Sequence, residues 1–213
     1  MSKGKFVVID GGDGAGKTTL IKQLEAEFKQ RNILFHDTRE PGGSRYAEEI
    51  RSLILNKAEA RNADAETMFA LFWAARRDHV VNTISRLCEK GILVVSDRFD
   101  SSTYAYQIFG QEEKQLEDLF WVVRNHYLRG CEPDVYIWID VDPHVGMRRR
   151  AFQRDEKNNH FDERQLAFHL RVQEGFRTFM SKCSSVHFDG NKAPEEVYKE
   201  VLDYLLSFTT KRQ

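Results

Sequence analysis

Two rhythms of apolar residues alternate along this chain. Short β-branched runs of strand length are separated by longer stretches in which apolar residues return every three or four positions. Phe6–Ile9 is the first such run and predicts a strand. Thr18 to about Gln30 predicts a helix with Leu20, Ile21, Leu24 and Phe28 on one face. Ile33–His36 predicts a second, short strand, and Thr38–Gly43 a loop with strong turn chemistry in Pro41-Gly42-Gly43. Tyr46–Leu55 predicts a helix with Ile50, Leu53 and Ile54 inward. Glu66–Lys90 reads as one long helix, stopped by Gly91. Ile92–Val95 is apolar throughout, the mark of a central parallel strand covered on both faces. Leu116–Leu128 predicts a helix and Asp134–Ile139 another buried strand. Asp142-Pro143 then supplies an N-cap and a first-turn proline for a helix running through Arg148-Arg149-Arg150. Residues 154–160 are polar and poor in apolar anchors, which predicts a flap. Glu163–Met180 predicts a helix, Ser185–Phe188 a last strand and Pro194–Leu206 a last helix.

Five strands with helices between them predict an α/β fold built on a doubly wound, mostly parallel sheet. The 213 residues suffice for one such domain, 1–213, with a small lid near residues 148–162. The formal net charge of −1 gives no basic excess, so nucleic acid is not the expected main partner. The three cysteines, Cys88, Cys131 and Cys183, are far apart and lack metal-ligand spacing; a reducing compartment is expected. No apolar run approaches membrane-spanning length, and the start resembles no signal peptide. A soluble, cytoplasmic protein without membrane contact is the expectation.

Between the first strand and the first helix stands Gly11-Gly12-Asp13-Gly14-Ala15-Gly16-Lys17-Thr18, of the form G-x-x-x-x-G-K-[ST]. In that strand–loop–helix context the pattern is a phosphate-binding loop. Glycines let the backbone wrap closely, so that successive N–H groups point at phosphate oxygens. The helix N-terminus adds its positive dipole end. Lys17 is then expected to reach the outer phosphates of a nucleoside triphosphate, and the Thr18 hydroxyl to ligate Mg²⁺.

The loop alone does not separate kinases from GTPases or motor ATPases. Guanine-binding switches usually carry N-K-x-D; here Asn191-Lys192-Ala193-Pro194 has proline at the aspartate position. The arginines point to phosphoryl transfer. Arg76 lies in the long helix, Arg98 directly follows the Ile92–Val95 strand, and Arg148, Arg149, Arg150 and Arg154 lead into the flap. A phosphoryl group in flight spreads negative charge over its equatorial oxygens. An enzyme that moves one supplies fixed positive charge in a site closed to water, which an arginine-bearing lid provides. Asp97-Arg98 stands at the carboxyl end of a buried strand, where open α/β sheets bind ligands. Asp97 is expected to hold Mg²⁺ through water, and Arg98 to fork onto a second phosphate.

At this point the residues resemble the thymidylate kinase family, a P-loop, nucleoside monophosphate kinase type, in its bacterial branch. The resemblance covers essentially the whole chain. It is carried by Gly12 to Thr19, by Arg39-Glu40-Pro41-Gly42-Gly43, by Leu71-Phe72-Trp73-Ala74-Ala75-Arg76 with His79 beyond, and by Asp97-Arg98 through Tyr106-Gln107. Pro133-Asp134 and Asp140-Val141-Asp142-Pro143 fit as well. The resemblance implies transfer of the γ-phosphoryl of ATP to dTMP, giving dTDP on the way to dTTP, with ATP as co-substrate, Mg²⁺ as cofactor and a homodimeric assembly. Gly11 to Thr19 would bind ATP. Phe72 would stack on thymine, Arg76 donate to a thymine carbonyl and Arg98 hold the dTMP phosphate. Ser102, Thr103, Tyr106 and Gln107 would line the base and sugar region, with Glu40 and Pro41 across from them. Asp13 would face the sugar 3′-hydroxyl or the phosphate acceptor.

In this family an acidic residue in the phosphate loop goes with catalytic arginine in the lid, and Asp13 with the Arg148–Arg154 cluster has that arrangement. The family lid often reads R-G-x-x-D-R-[IF]-E; here Asn159 and His160 fall where Asp and Arg are usual, and Asp162 where Glu is usual. Arg149 and Arg154 are the expected catalytic arginines, with His160, if protonated, restoring part of the charge. Two alternatives stay open: a monophosphate or deoxynucleoside kinase of different base preference, and a nucleotide sensor without transfer.

Overall fold

In the computed structural model of the chain, which describes residues 3–153 and 163–210, five strands form one sheet. They are β1 (Phe6–Asp10), β2 (Phe35–Arg39), β3 (Leu93–Asp97), β4 (Val135–Asp140) and β5 (Ser185–Asp189), in the spatial order β2-β3-β1-β4-β5. Every neighbouring pair is parallel, so the sheet is wholly rather than mostly parallel. β1 lies at the centre because both its faces are apolar. Val7 and Ile9 pack with Leu24 and Phe28 of α1 (Lys17–Gln30) and with Val201 and Leu205 of α9 (Pro194–Thr210). Phe6 and Val8 pack on the other side with Phe69 and Trp73 of α3 (Ala65–His79) and Phe176 of α8 (Glu163–Lys182). The strand's two-residue period thus splits one run between two cores.

The structure departs from the pattern-based expectations in four places. β2 runs three residues further than Ile33–His36, because an edge strand needs only one apolar neighbour and β3 pairs with it down to Arg39↔Asp97. In α2 (Arg45–Asn56), Ala47, Ile50 and Ile54 face inward, whereas Leu53 lies off that stripe and is 47% exposed. The long helix is α3, a π turn Val80–Ile84 and α4 (Ser85–Glu89) in succession. Between Arg98 and α6 (Glu117–Tyr127) lies a helical segment for which no expectation stood: α5 (Asp100–Thr103) and a π segment, Tyr104–Gly110. The π segment packs tightly on α8, where a Cβ on Gly175 would stand 2.7 Å from Ala105 Cα. α7 (Pro143–Gln153) carries the arginine cluster, and the expected flap at 154–160 lies outside the described residues.

No helix among the described residues is long and apolar enough to cross a membrane. The three cysteines are free thiols, two of them buried.

Candidate active site

The carboxyl ends of β1 and β3 define the site, because the chain leaves each strand through a residue pattern that cannot continue it. After β1, Gly14 (φ 74°) and Gly16 (φ 82°) adopt the left-handed region that side chains disfavour. This winds the loop back over the start of α1, whose N-cap is Gly16. Lys17 Nζ donates to the Gly11 and Gly12 carbonyls, each at 2.9 Å. Burial, with Arg98 nearby, lowers the Lys17 pKa to about 7. The Thr18 hydroxyl donates to Asp97 Oδ2 at 3.0 Å, so the two expected metal-holding residues lie side by side. A cavity of about 260 Å³ opens here, lined by residues 13–19, Asp97, Arg98 and Arg150.

After β3, Arg98 sits at φ 69°, left-handed for a non-glycine residue. Its Nη1 donates to Ser102 Oγ at 3.0 Å and Gly11 O at 3.3 Å, and its Nη2 to Asp13 Oδ1 at 2.8 Å. The guanidinium lies 5.1 Å from the Tyr106 ring centre, and the Tyr106 hydroxyl donates to Asp13 at 2.9 Å. Burial works against the Arg98 charge, but Tyr106, Asp10 and Asp97 outweigh it and raise its pKa above the ordinary value.

A second cavity, of about 370 Å³, is bounded by Glu40, Pro41, Phe72, Arg76, Arg98, Ser102, Thr103, Tyr106 and Gln107, with Ile54, Leu55 and Met68 at an apolar end. All nine expected substrate-site residues therefore line one cavity, and Arg98 lines both. Glu40 is buried and turned away from solvent. It accepts from Arg76 Nε at 2.7 Å and bonds His79 Nδ1 at 3.1 Å, while His79 Nε2 meets the Thr38 hydroxyl at 2.8 Å. Arg76 Nη2 is spent on Phe99 O and Thr103 Oγ1. Among the described residues, two of the three buried side-chain polar atoms without a partner belong to this wall: the donor Arg76 Nη1 and the acceptor Gln107 Oε1. Such atoms are costly unless something pairs with them.

Of the arginines expected to act on the phosphoryl group, Arg149 lies in α7 beside Arg150, and the two point to different partners. Arg149 Nη1 donates to Gly190 O at 2.8 Å, whereas Arg150 pairs with Asp13 and lines the first cavity. Helix phase explains this. Gly146 of α7 packs on the phosphate loop; Arg149 and Arg150, three and four positions on, leave the helix on opposite flanks of that contact, about 100° apart, and the Arg150 flank is the one that meets Asp13. Arg154 and His160 lie outside the described residues.

Asp10 joins the site with no motif to mark it. It is fully buried and accepts from Ser101 Oγ at 2.6 Å, Ser102 Oγ at 2.9 Å and Gly11 N at 2.8 Å. Burial pushes its carboxyl above the ordinary value, against the pull of Arg98 and Lys17. The signal was present: one charge closing an apolar run directly before Gly11.

A profile of the thymidylate kinase family matches residues 9–201. The thymidylate kinase of Clostridium novyi (strain NT) is 33% identical over 207 residues, covering 96% of this chain and 100% of its own. That of Geobacillus thermodenitrificans (strain NG80-2) is 36% identical over 206 residues, 96% of this chain and 90% of its own. That of Bacillus mycoides (strain KBAB4) is 37% identical over 210 residues, 96% of this chain and 100% of its own. With the phosphate loop, the shared arginine and the second cavity, these matches establish that the chain belongs to the thymidylate kinase family.

Proposed function

We infer that this chain is an ATP-dependent dTMP kinase, a phosphotransferase that moves the γ-phosphoryl of ATP to the dTMP phosphate and releases ADP and dTDP. The observation that carries the reading is that Arg98 lines both cavities. One cavity is walled by main-chain amides and Lys17, suited to a triphosphate. The other is largely apolar and ends in an unpaired donor and an unpaired acceptor, suited to a pyrimidine edge.

In this reading Gly11 to Thr19 cradle ATP, and Lys17 neutralises its outer phosphates. Phe72 stacks on thymine, Arg76 Nη1 donates to a ring carbonyl and Gln107 Oε1 accepts from the ring. Ser102, Thr103 and Tyr106 border the sugar, with Pro41 opposite. Glu40 acts through Arg76, which it holds by Nε. Arg98 grips the acceptor phosphate at the seam between cavities, and Asp13 stands beside that phosphate and the sugar. Arg150 has the position from which charge can be supplied to the phosphoryl in flight; Arg154 is a second candidate.

Thr18 and Asp97 fit Mg²⁺, a hard cation that keeps several waters and takes its other oxygens from nucleotide phosphates. When bound, Mg²⁺ would neutralise charge on the phosphates. The reading also includes one domain with a lid near residues 148–162, a cytoplasmic setting and a homodimer. Exposed apolar side chains on helices, such as Leu119 and Val122 of α6, support an assembly, which sedimentation would test.

Turnover measured across dTMP, dUMP, dCMP, dGMP and thymidine tests the assignment. A clear preference for dTMP is expected; equal rates across the panel would refute it.

A further inference from the structure

Outside both cavities, three polar side chains from three elements meet in the core. Asp100, at the start of α5, has no solvent exposure. Its Oδ2 accepts from Arg124 Nε of α6 at 2.7 Å, and its Oδ1 from the Tyr136 hydroxyl of β4 at 2.6 Å and from Ser101 N at 3.0 Å. Arg124 Nη2 reaches the same hydroxyl at 3.2 Å, and its guanidinium lies 5.6 Å from the Trp121 ring centre and 5.9 Å from that of Phe179. The Tyr136 ring packs on Phe179, centroid to centroid 5.1 Å, within an apolar cluster that also holds Phe99, Tyr104 and Phe120. Burial and the Asp100 carboxylate push the Tyr136 phenol well above its ordinary pKa, so it stays a donor. A charge pair in such surroundings costs about as much in desolvation as it returns. Stability alone is therefore a weak account of it.

The residues on either side of Asp100 supply a better one. Arg98, two positions earlier, holds a left-handed backbone that persists only where its surroundings enforce it. Its front is pinned by Arg98 N donating to Ile9 O at 3.1 Å and by Ser96 Oγ donating to Arg98 O at 2.7 Å. Ser101 and Ser102, directly after Asp100, both donate to Asp10, and Ser102 Oγ accepts from Arg98 Nη1. The turn from 98 to 102 thus needs a fixed point at its back, and Asp100 is the residue tied there.

We propose that Asp100, Arg124 and Tyr136 form an anchor that positions Arg98, holding the 98–102 turn in the arrangement that presents its guanidinium to both cavities and so setting affinity for the acceptor's phosphate. This rests on the acceptor role given to Arg98 above. The three are positioning residues; they reach substrate only through Arg98.

Calorimetric titration of the full chain with dTMP, thymidine and ATP, together with each variant's thermal midpoint, separates positioning from stabilisation. Tyr136→Phe removes one hydrogen bond and keeps the ring. Asp100→Asn keeps the shape and removes the charge. The dTMP affinity is expected to fall about threefold in the first and roughly tenfold in the second, as for couplings carried through a packed network. Thymidine, which lacks the phosphate, and ATP are expected to stay within about twofold. The combined variant Asp100→Leu, Arg124→Leu, Tyr136→Phe leaves no charge unpaired, so its midpoint is expected to recover towards wild type while dTMP affinity stays low. Should Asp100→Asn fail to fold, Tyr136→Phe carries the same comparison. The inference is overturned if dTMP and thymidine weaken together, or if dTMP affinity returns along with the midpoint. Arg98→Ala is the reference. If it binds dTMP like wild type, the Arg98 assignment falls and the anchor with it. If it weakens dTMP while the anchor variants do not, only the anchor falls.

Discussion

Arg98 Nη2 stands 2.8 Å from Asp13 Oδ1, which ties the residue after β3 to the middle of the phosphate loop. The two strands that carry them are neighbours in the sheet, paired from Phe6↔Val94 to Ile9↔Asp97. Backbone pairing therefore brings groups that line the two cavities into contact. Arg150 of α7 joins them on the second Asp13 oxygen, so one carboxylate gathers two guanidinium groups at the seam. Both arginines are partly exposed, so the cluster contributes modestly to stability. Arg98, its central member, lines both cavities.

The planar fork of Arg98 divides its bonds among Ser102, Gly11 and Asp13, a pattern that a lysine ammonium cannot copy. Arg98→Lys is expected to lower kcat/KM for dTMP by about 2–3 kcal/mol in transition-state terms, despite the retained charge. Steady-state kinetics checks this; wild-type turnover in the variant would remove Arg98 from the phosphate site.

Arg76 offers one unpaired donor to the second cavity. Arg76→Ala is expected to weaken dTMP by about 1–3 kcal/mol and to leave ATP nearly unaffected. It also strands the buried Glu40 carboxylate with His79 as its remaining side-chain hydrogen-bond partner, so the thermal midpoint should drop as well. Titration with each nucleotide separates the effects. Equal losses for dTMP and ATP would make Arg76 a structural residue.

The Lys17 pKa of about 7 predicts a proton linkage. A triphosphate in the loop favours the charged amine, so binding raises that pKa. Near and below pH 6 the amine is already protonated and little uptake accompanies ATP. Between about pH 7 and 10 binding takes up as much as one proton, and affinity falls as pH rises. The ligand-free protein shows the opposite trend from this group: its unfolded state binds the extra proton over that range, so stability rises with pH there. Calorimetry of ATP binding at pH 8 in buffers of different ionisation enthalpy reads the uptake. Identical heats in all buffers would contradict it.

Gly146 lies inside α7, where alanine normally stabilises a helix. Here its Cβ would stand 2.3 Å from the Asp13 carbonyl oxygen, a backbone atom of the phosphate loop. Gly146→Ala is therefore expected to destabilise by about 1–3 kcal/mol and to raise KM for ATP. A higher thermal midpoint with unchanged KM would show that α7 does not brace the loop as described.

The parts of the molecule legible in the sequence are those where one local rule decides the outcome. Val7, Val8 and Ile9 before Gly11 leave little choice but a buried strand feeding a phosphate loop, and Phe72, Arg76 and Tyr106 follow from the family resemblance. The parts that were not legible depend on neighbours. Asp37 to Arg39 extend β2 only because β3 supplies the ladder at that edge. The polar run Asp100-Ser101-Ser102-Thr103 does not look helical until Asp10 and Arg124 are seen to absorb its hydrogen bonds. Arg149 and Arg150 are interchangeable in a string and a quarter-turn apart on α7. Nothing in their spacing tells which one Gly146 turns towards the loop.

Two anionic nucleotides meeting across Arg98 would make ADP release from ATP and Mg²⁺ depend on dTMP. The rate with and without dTMP is expected to be slow from ATP alone and to rise strongly and saturably on adding dTMP, with the increase abolished in Arg98→Ala. ATP binding with no dTMP-dependent release would contradict it and leave a nucleotide sensor in place of a kinase.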